Sequence, residues 1–366
     1  MDFTPAPAQQ LLVATARDFL AKHCPPEVVQ GLALDARGFD DRLWRRMAEL
    51  GWPGLLVPTV YGGSDGTMLD VILLVEEMGR AALPSPFVTS AVVATSLLVA
   101  AASAEQRERL LPALAAGERI ATLALVEEAG SFDPEALTLH CEVPGRLTGT
   151  KLFVKDAHVA DDLIVALGGG NLLLLPADRP GIARLPLDML SGEKAFEVTF
   201  DAVEVRSADW LGAPGRGADA LAAALTAGAL ARTAEMVGAA QRVLDLAVEH
   251  ARTRVQGGRP IGGYQAIQHA CADLVRDVDG SRGLLHVAAW MVSEGLPAGR
   301  EVATAKAYAS EACLTVARRG HQIFGAIGYC EEHPLHLLHK RIQAASVDFG
   351  DAASHLETVA REIGLG

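Results

Sequence analysis

Cysteine is scarce in this chain, and what there is does not pair. The five cysteines, Cys24, Cys141, Cys271, Cys313 and Cys330, form no C-x-x-C motif and are odd in number. That argues against a disulfide scaffold or a thiolate metal knuckle, and points to reduced, buried thiols in a cytoplasmic protein. Aromatic residues make up only 5% of the chain, while alanine is abundant, as in tightly packed helices. Basic residues are outnumbered, 32 Lys and Arg against 45 Asp and Glu, for a formal net charge of −13. This balance argues against nucleic acid as a partner, because phosphate neutralisation dominates such binding. An anionic ligand would need a local basic pocket set against the overall field. The opening MDFTPAPAQQ has no basic region followed by an apolar core, so no signal peptide is expected. The Ala-rich stretch before Gly238 carries Arg232 and Glu235 and is too polar for a clean membrane span.

What is present is a globular composition, 50% apolar and 21% charged over 366 residues, enough for two or three domains. Residues 1–118 read as helices. Leu11, Leu12, Ala16, Phe19 and Leu20 recur at helical spacing. Asp40 or Asp41 can cap a helix whose buried face is Trp44, Met47 and Leu50 and whose C′ residue is Gly51. A Gly- and Pro-rich loop then leads into an apolar helix around residues 68–80, on which Glu76 and Glu77 are expected to face solvent. From 119 to 212 short strands take over. Gly168-Gly169-Gly170 reads as a hairpin turn between strands rather than a phosphate loop, since no helix follows it. From 213 to 366 the chain is helical again. The expected class is therefore α+β multidomain: an N-terminal all-α domain (1–118), a small middle β-barrel domain (119–212) and a C-terminal helical bundle (213–366).

The stretch from Gly238 to Gln268 reads as a long helix, a Gly-rich break and the start of a second helix. Arg254 stands before the break, and an arginine fork binds phosphate at two points. Gly257, Gly258, Gly262 and Gly263 let backbone approach a ligand. These residues suit an anionic ligand at a helix junction, and equally a plain helical hairpin. The segment from Arg254 through Gly257, Gly258 and Ile261 to Gln265 resembles the flavin-binding signature R-x-x-F-G-x-x-I-x-x-x-Q of the acyl-CoA dehydrogenase family. Gln322-Ile323-Phe324-Gly325-Ala326-Ile327-Gly328 is similar to its second signature, Q-x-x-G-G-x-G. The similarity spans nearly the whole chain.

The resemblance implies FAD bound between the β domain and a C-terminal four-helix bundle. Arg254 would grip the pyrophosphate across a dimer interface, with Gln256 and Gln265 in the same signature, and Gln322 and Gly325 would meet the adenosine end. The loop Val126-Glu127-Glu128-Ala129-Gly130-Ser131 resembles the family's T-E-P-x-x-G-S loop, one residue shorter. There Val126 would serve the flavin through its backbone and Ser131 through its hydroxyl; taken without the resemblance, the same stretch reads as an ordinary Gly-Ser turn with two solvated acids. Lys151-Leu152-Phe153-Val154-Lys155 resembles K-x-W-I-T, with Phe153 stacking where the family has Trp. Departures are Gly257 for the stacking aromatic, Ala326 for a glycine, and Lys155 for a flavin-bonding Thr. The family's reaction is α,β-dehydrogenation of an acyl-CoA to the trans-2-enoyl-CoA, with electrons leaving to electron-transfer flavoprotein or a similar acceptor. Its assemblies are dimers of dimers. His333, His336 and His339 recur every three residues, a spacing that drifts off one helical face, so no metal site is expected.

The family's catalytic base is a glutamate in a Y-E-G-T loop, and ungapped counting from Gln322 places Phe349 there. A second glutamate position used by some relatives falls on Gly228. Two readings follow. Asp348 or Asp351 acts as the base, or this chain carries no base and an unlike partner chain supplies it. A flavin-free or otherwise repurposed relative is the remaining alternative, and the plain structural reading is that Asp348 and Asp351 merely cap the helix starting at Ala352, for which Asp351 is well placed. The partnered arrangement resembles heterotetrameric actinobacterial dehydrogenases of sterol side chains, so this chain would be a base-lacking subunit in lipid or sterol catabolism.

Overall fold

The computed structural model describes residues 5–142 and 144–365. In chain order the helices are α1 (Pro7–His23), α2 (Pro26–Leu34), α3 (Asp41–Glu49), α4 (Met68–Arg80), α5 (Thr95–Ala101) and α6 (Ala104–Ala115). Strands β1 (Ala121–Ala124), β2 (Gly145–Lys155), β3 (Asp162–Leu167), β4 (Asn171–Pro176), β5 (Ile182–Leu187) and β6 (Ala195–Val205) follow. The rest is α7 (Ala218–Thr253), the two-residue strands β7 (Val255–Gln256) and β8 (Arg259–Pro260), then α8 (Gln265–Ser293), α9 (Gly299–Phe324), α10 (Leu335–Val347) and α11 (Ala352–Glu362).

The chain falls into two compact units. One holds residues Leu32–Thr67 and Pro84–Gly228. Its centre is a pair of three-stranded sheets, ordered β1-β3-β4 and β2-β6-β5, which share one core of Leu147, Val154, Leu163, Val165, Val198 and Phe200 among others. The expected barrel is thus two facing sheets over one core. β3 and β4 pair antiparallel through the Gly168–Gly170 turn, where Gly169 and Gly170 both have positive φ, as a tight hairpin requires. Asp40 caps α3 by accepting from the Arg42 N–H at 2.7 Å, and Gly51 follows the helix at φ 77°. Trp44 and Met47 are buried as expected, whereas Leu50 is 42% exposed, because the helix has already ended at Glu49.

The other unit holds Met1–Gly31, Met68–Leu83 and Ala229–Gly366. Here α4 lies against α7 with glycines at the crossing. A Cβ on Gly79 would stand 2.2 Å from the Glu235 carbonyl oxygen, and one on Gly238 would stand 1.9 Å from that of Glu76. The expectation that Glu76 and Glu77 face solvent is corrected. Glu77 is 5% exposed and bound by Arg17 at 2.6 Å, and Glu76 is bound by Arg282 at 2.7 Å. Both faces of α4 are covered, so its acids needed partners. All five cysteines are free thiols, but only Cys24 and Cys313 are buried; Cys330 is exposed, on the turn between α9 and α10. α7 is the one described helix long and apolar enough to cross a membrane, and 72% of its apolar window is buried.

Candidate functional site

In the sheet-bearing unit, β1 runs into the loop that begins at the buried Val126. The Val126 carbonyl accepts from the Leu152 N–H at 2.7 Å, which ties the loop to β2. A second tie is ionic. Lys151 is fully buried, and its Nζ donates to the Leu125 carbonyl at 3.0 Å and to Glu127 Oε1 at 2.7 Å. Glu127 also accepts from the Thr138 N–H and hydroxyl and from the Leu139 N–H. Burial alone would raise its pKa, but Lys151 and these donors outweigh burial and hold the carboxyl at about 2. Burial pushes the Lys151 ammonium pKa down, against the pull of Glu127. The plain-turn alternative with two solvated acids therefore does not describe Glu127. Ser131 Oγ accepts from the Asp133 N–H at 3.0 Å, which leaves its own proton to donate.

Two residues past Lys151, β2 bulges between Lys151 and Val154. Phe153 sits on that bulge at φ 52°, with half of its surface exposed. A left-handed phenylalanine is strained, and a bulge re-aims the side chain it carries. The backbone spends strain here to hold one aromatic ring outward, beside the loop that Lys151 anchors.

In the helical unit, α7 ends at Thr253, and Arg254 N–H still bonds back to the His250 carbonyl at 2.8 Å. Arg254 is exposed and has no side-chain partner among the described residues. The β7–β8 hairpin turns through Gly257 (φ 60°) and Gly258 (φ 79°). A Cβ at residue 257 would lie 2.4 Å from the Tyr264 hydroxyl. Tyr264 donates to the Gln256 carbonyl at 3.0 Å, and its ring carries the Arg259 guanidinium at 4.0 Å. An aromatic ring thus stands beside the position where the signature's own aromatic is missing. Gln256 and Gln265 are exposed on this hairpin and on the first residue of α8.

The second signature lies at the same end of the unit. The His250 ring stacks on Phe324 at 4.4 Å, joining the end of α7 to the end of α9 one turn before Arg254. Gln322 is exposed, and Gly325 ends α9 at φ 66°, ψ −142°, a combination open essentially to glycine. His321 Nδ1 bonds the Gly328 carbonyl at 2.8 Å and its Nε2 meets His339 Nδ1 at 2.9 Å. His333 tilts against Phe324. The histidines brace this turn.

The loop after α10 is where the base is expected. Asp348 is 8% exposed and contacts Arg232 Nε at 2.8 Å. Arg232 also pairs with Glu235, which Arg341 reaches at 3.3 Å. Phe349 is left-handed at φ 56°, and its carbonyl accepts from His355 Nε2 at 3.0 Å. Buried Lys306 donates to the Ser346 and Gly350 carbonyls, each at 2.9 Å. Asp351 caps α11, accepting from the Ser354 N–H at 2.9 Å and its hydroxyl at 2.8 Å, and the backbone bond first of all lowers its pKa. Gly228 is buried one turn before Arg232 on α7.

Sequence reasoning overlooked the Lys151–Glu127 pair, the Lys306 tether and the Arg232–Glu235–Arg341–Asp348 cluster. Only charged residues embedded among apolar runs hinted at them. Within the helical unit, an unpartnered arginine beside a glycine hairpin and a Gly-only turn at the same end suit the diphosphate of a dinucleotide such as FAD.

Comparison with known proteins agrees. The acyl-CoA dehydrogenase N-terminal domain model matches residues 6–118, and the C-terminal domain model matches residues 215–364. Acyl-CoA dehydrogenase FadE27 of Mycobacterium tuberculosis is 31% identical over 99% of this chain and 99% of its own. The ChsE4–ChsE5 complex from the same organism contains a chain 31% identical, with TM-score 0.92 and full coverage of both. A chain of the Tcur3481–Tcur3483 steroid acyl-CoA dehydrogenase variant is 29% identical, with TM-score 0.89 over 97% of each. The chain belongs to the acyl-CoA dehydrogenase family, FAD-dependent oxidoreductases that dehydrogenate acyl-CoA thioesters.

Proposed function

We propose that this chain builds the flavin side of an acyl-CoA dehydrogenase and that the proton-abstracting carboxylate belongs to an unlike partner chain. The observation that carries this is the loop 348–351. The family's base position holds Phe349, Asp348 is neutralised by Arg232, and Asp351 is spent on the α11 cap. A base for an α-proton is tuned by burial toward a raised pKa, whereas Asp351 is exposed and its pKa is lowered.

FAD, when bound, supplies the hydride acceptor for the substrate's β-carbon. Arg254 and the Gly257–Gly258 hairpin would hold its diphosphate at a protomer boundary, with Gln256 and Gln265 beside them and Gln322 and Gly325 toward the adenosine. Phe153 would cover the ring system, and Val126 and Ser131 would meet it from the loop fixed by Lys151. The acyl group would come from lipid or sterol catabolism, in keeping with the steroid enzyme among the similar structures. The product would be the trans-2-enoyl-CoA, the electron acceptor an electron-transfer flavoprotein, and the assembly a cytoplasmic dimer of dimers. The N-terminal match ends at residue 118 and the C-terminal match begins at residue 215, in keeping with domain boundaries after residues 118 and 212.

A second reading keeps Asp351 as the base, favoured by one observation: it is the exposed carboxylate of this loop, two residues after Phe349. Asp351→Asn separates the two, because asparagine still caps a helix. The chain expressed alone should fail to bleach with acyl-CoA, and the mixed assembly should bleach equally whether or not this chain carries the Asp351→Asn substitution. Bleaching by the lone chain, abolished by Asp351→Asn, would reject the proposal.

A further inference from the structure

The helical unit contains a cleft of about 290 Å³ between α1, α2, α4, α7 and α10, lined by the Arg17–Glu77 pair but by neither the hairpin residues nor the 348–351 loop. Its apolar wall includes Leu20, Val29, Leu246, Leu337 and Leu338. Its charged residues are Arg17, Arg80, Arg242 and Glu77. Three of these are already matched. Arg17 forks onto Glu77 through two bonds of 2.6 and 3.0 Å. Arg80 sits 3.7 Å from Glu77 and 2.8 Å from Asp245. Arg242 alone is left: half-buried, lining the cleft, with no hydrogen-bond or ion-pair partner among the described residues. It lies on α7 twelve residues before Arg254, which follows the helix end, roughly 18 Å along the axis at ~1.5 Å per residue, so it is not part of the hairpin.

We propose that this cleft binds a small monocarboxylate with an apolar body. An unmatched guanidinium in an apolar recess is complementary to one carboxylate, which it can hold through two parallel bonds. The net surplus of one positive charge fits a single anion rather than a phosphate ester carrying two. Size sets the body. The cleft is near the lower end of small-molecule sites, and octanoate, a short apolar chain with one carboxylate, is a probe of that class. Pockets of this kind, apolar with one placed charge, are the usual form of small-molecule sites. The chemistry that would supply such a ligand is hydrolysis of an acyl-CoA thioester, which releases the free acid.

The test is calorimetric titration of the purified full chain, in its native assembly, with octanoate. Binding is expected with a dissociation constant on the order of 1 mM or tighter. Octanol, of equal length but uncharged, should bind at least tenfold more weakly. Arg242→Met keeps the aliphatic stem and should weaken octanoate at least tenfold. Leu337→Trp leaves the arginine in place but fills the cleft, and should abolish the heat. Equal affinity for octanoate in the wild type and in Arg242→Met would overturn the proposal, as would equal binding of octanol or no binding at about 10 mM ligand.

Discussion

A lysine with no exposed surface is costly unless its charge is met, and Lys151 is met by Glu127 and a carbonyl. The pair connects the loop from Val126 to Ser131 with the strand that presents Phe153, so one ion pair sets two candidate flavin-facing pieces at once. Glu127→Gln strands a buried ammonium and should cost about 3–5 kcal/mol. Lys151→Met, which leaves Glu127 its Thr138 and Leu139 donors, should cost less. The pH dependence follows from sign. The Glu127 carboxyl, at about 2 against an ordinary 4.5, favours the charged form in the fold. Its stabilisation is present above about pH 4.5 and is lost as pH falls toward 2, up to about 3 kcal/mol less whatever the burial of Lys151 offsets. Urea midpoints should therefore separate the wild type from Glu127→Gln at pH 7 and converge near pH 2.5; midpoints that differ equally at both pH values would contradict the pairing. Of this arrangement the sequence revealed Phe153 and Lys151 as members of a motif, but neither the burial of Lys151 nor the partner of Glu127. Two adjacent acids in a loop look solvated until their neighbours are placed in space. Nor does phenylalanine announce a left-handed backbone, which its β-carbon disfavours.

Whole elements were easier to read than their contacts. The cap at Asp40, the stop at Gly51, the β3–β4 hairpin and the break after α7 all rest on local chemistry that a few residues carry by themselves. The α4–α7 crossing does not. Gly79 and Gly238 look like ordinary helix interruptions, and only the crossing shows that each stands where a neighbouring carbonyl leaves no room for a methyl group. In an uncrowded helix Gly→Ala would stabilise by roughly 1 kcal/mol through propensity. Here each substitution drives a β-carbon into backbone, which no rotamer change relieves, so a loss of about 2–4 kcal/mol is expected for Gly79→Ala and for Gly238→Ala. Thermal unfolding of the two variants checks this, and a raised melting temperature in either would show that the helices can part. The same crossing explains why Glu77 is buried and Glu76 half-buried. Helices this close bring their flanking side chains under the neighbouring elements, where Arg17 and Arg282 neutralise them.

At the scale of the whole molecule, the residues that look idle in one chain are the ones an assembly would use. Arg254 is exposed, bonded to nothing among the described residues, and held on a hairpin whose turn is built from two left-handed glycines. A guanidinium with no intrachain role adds little to folding, so Arg254→Ala should change unfolding free energy by no more than about 0.5 kcal/mol. If it grips a diphosphate at a protomer boundary, the same substitution removes a two-point charge-assisted contact and should strip flavin from the assembly. The two readouts together carry the inference, because a structural residue would move the first and a solvent-facing bystander would move neither. Flavin absorbance per protomer and urea unfolding of the same preparation measure both. Stoichiometric flavin in the Arg254→Ala assembly would remove the arginine from the site. Loss of flavin at unchanged stability would place Arg254 on the flavin rather than in the fold, since the substitution removes no side-chain contact within the chain among the described residues.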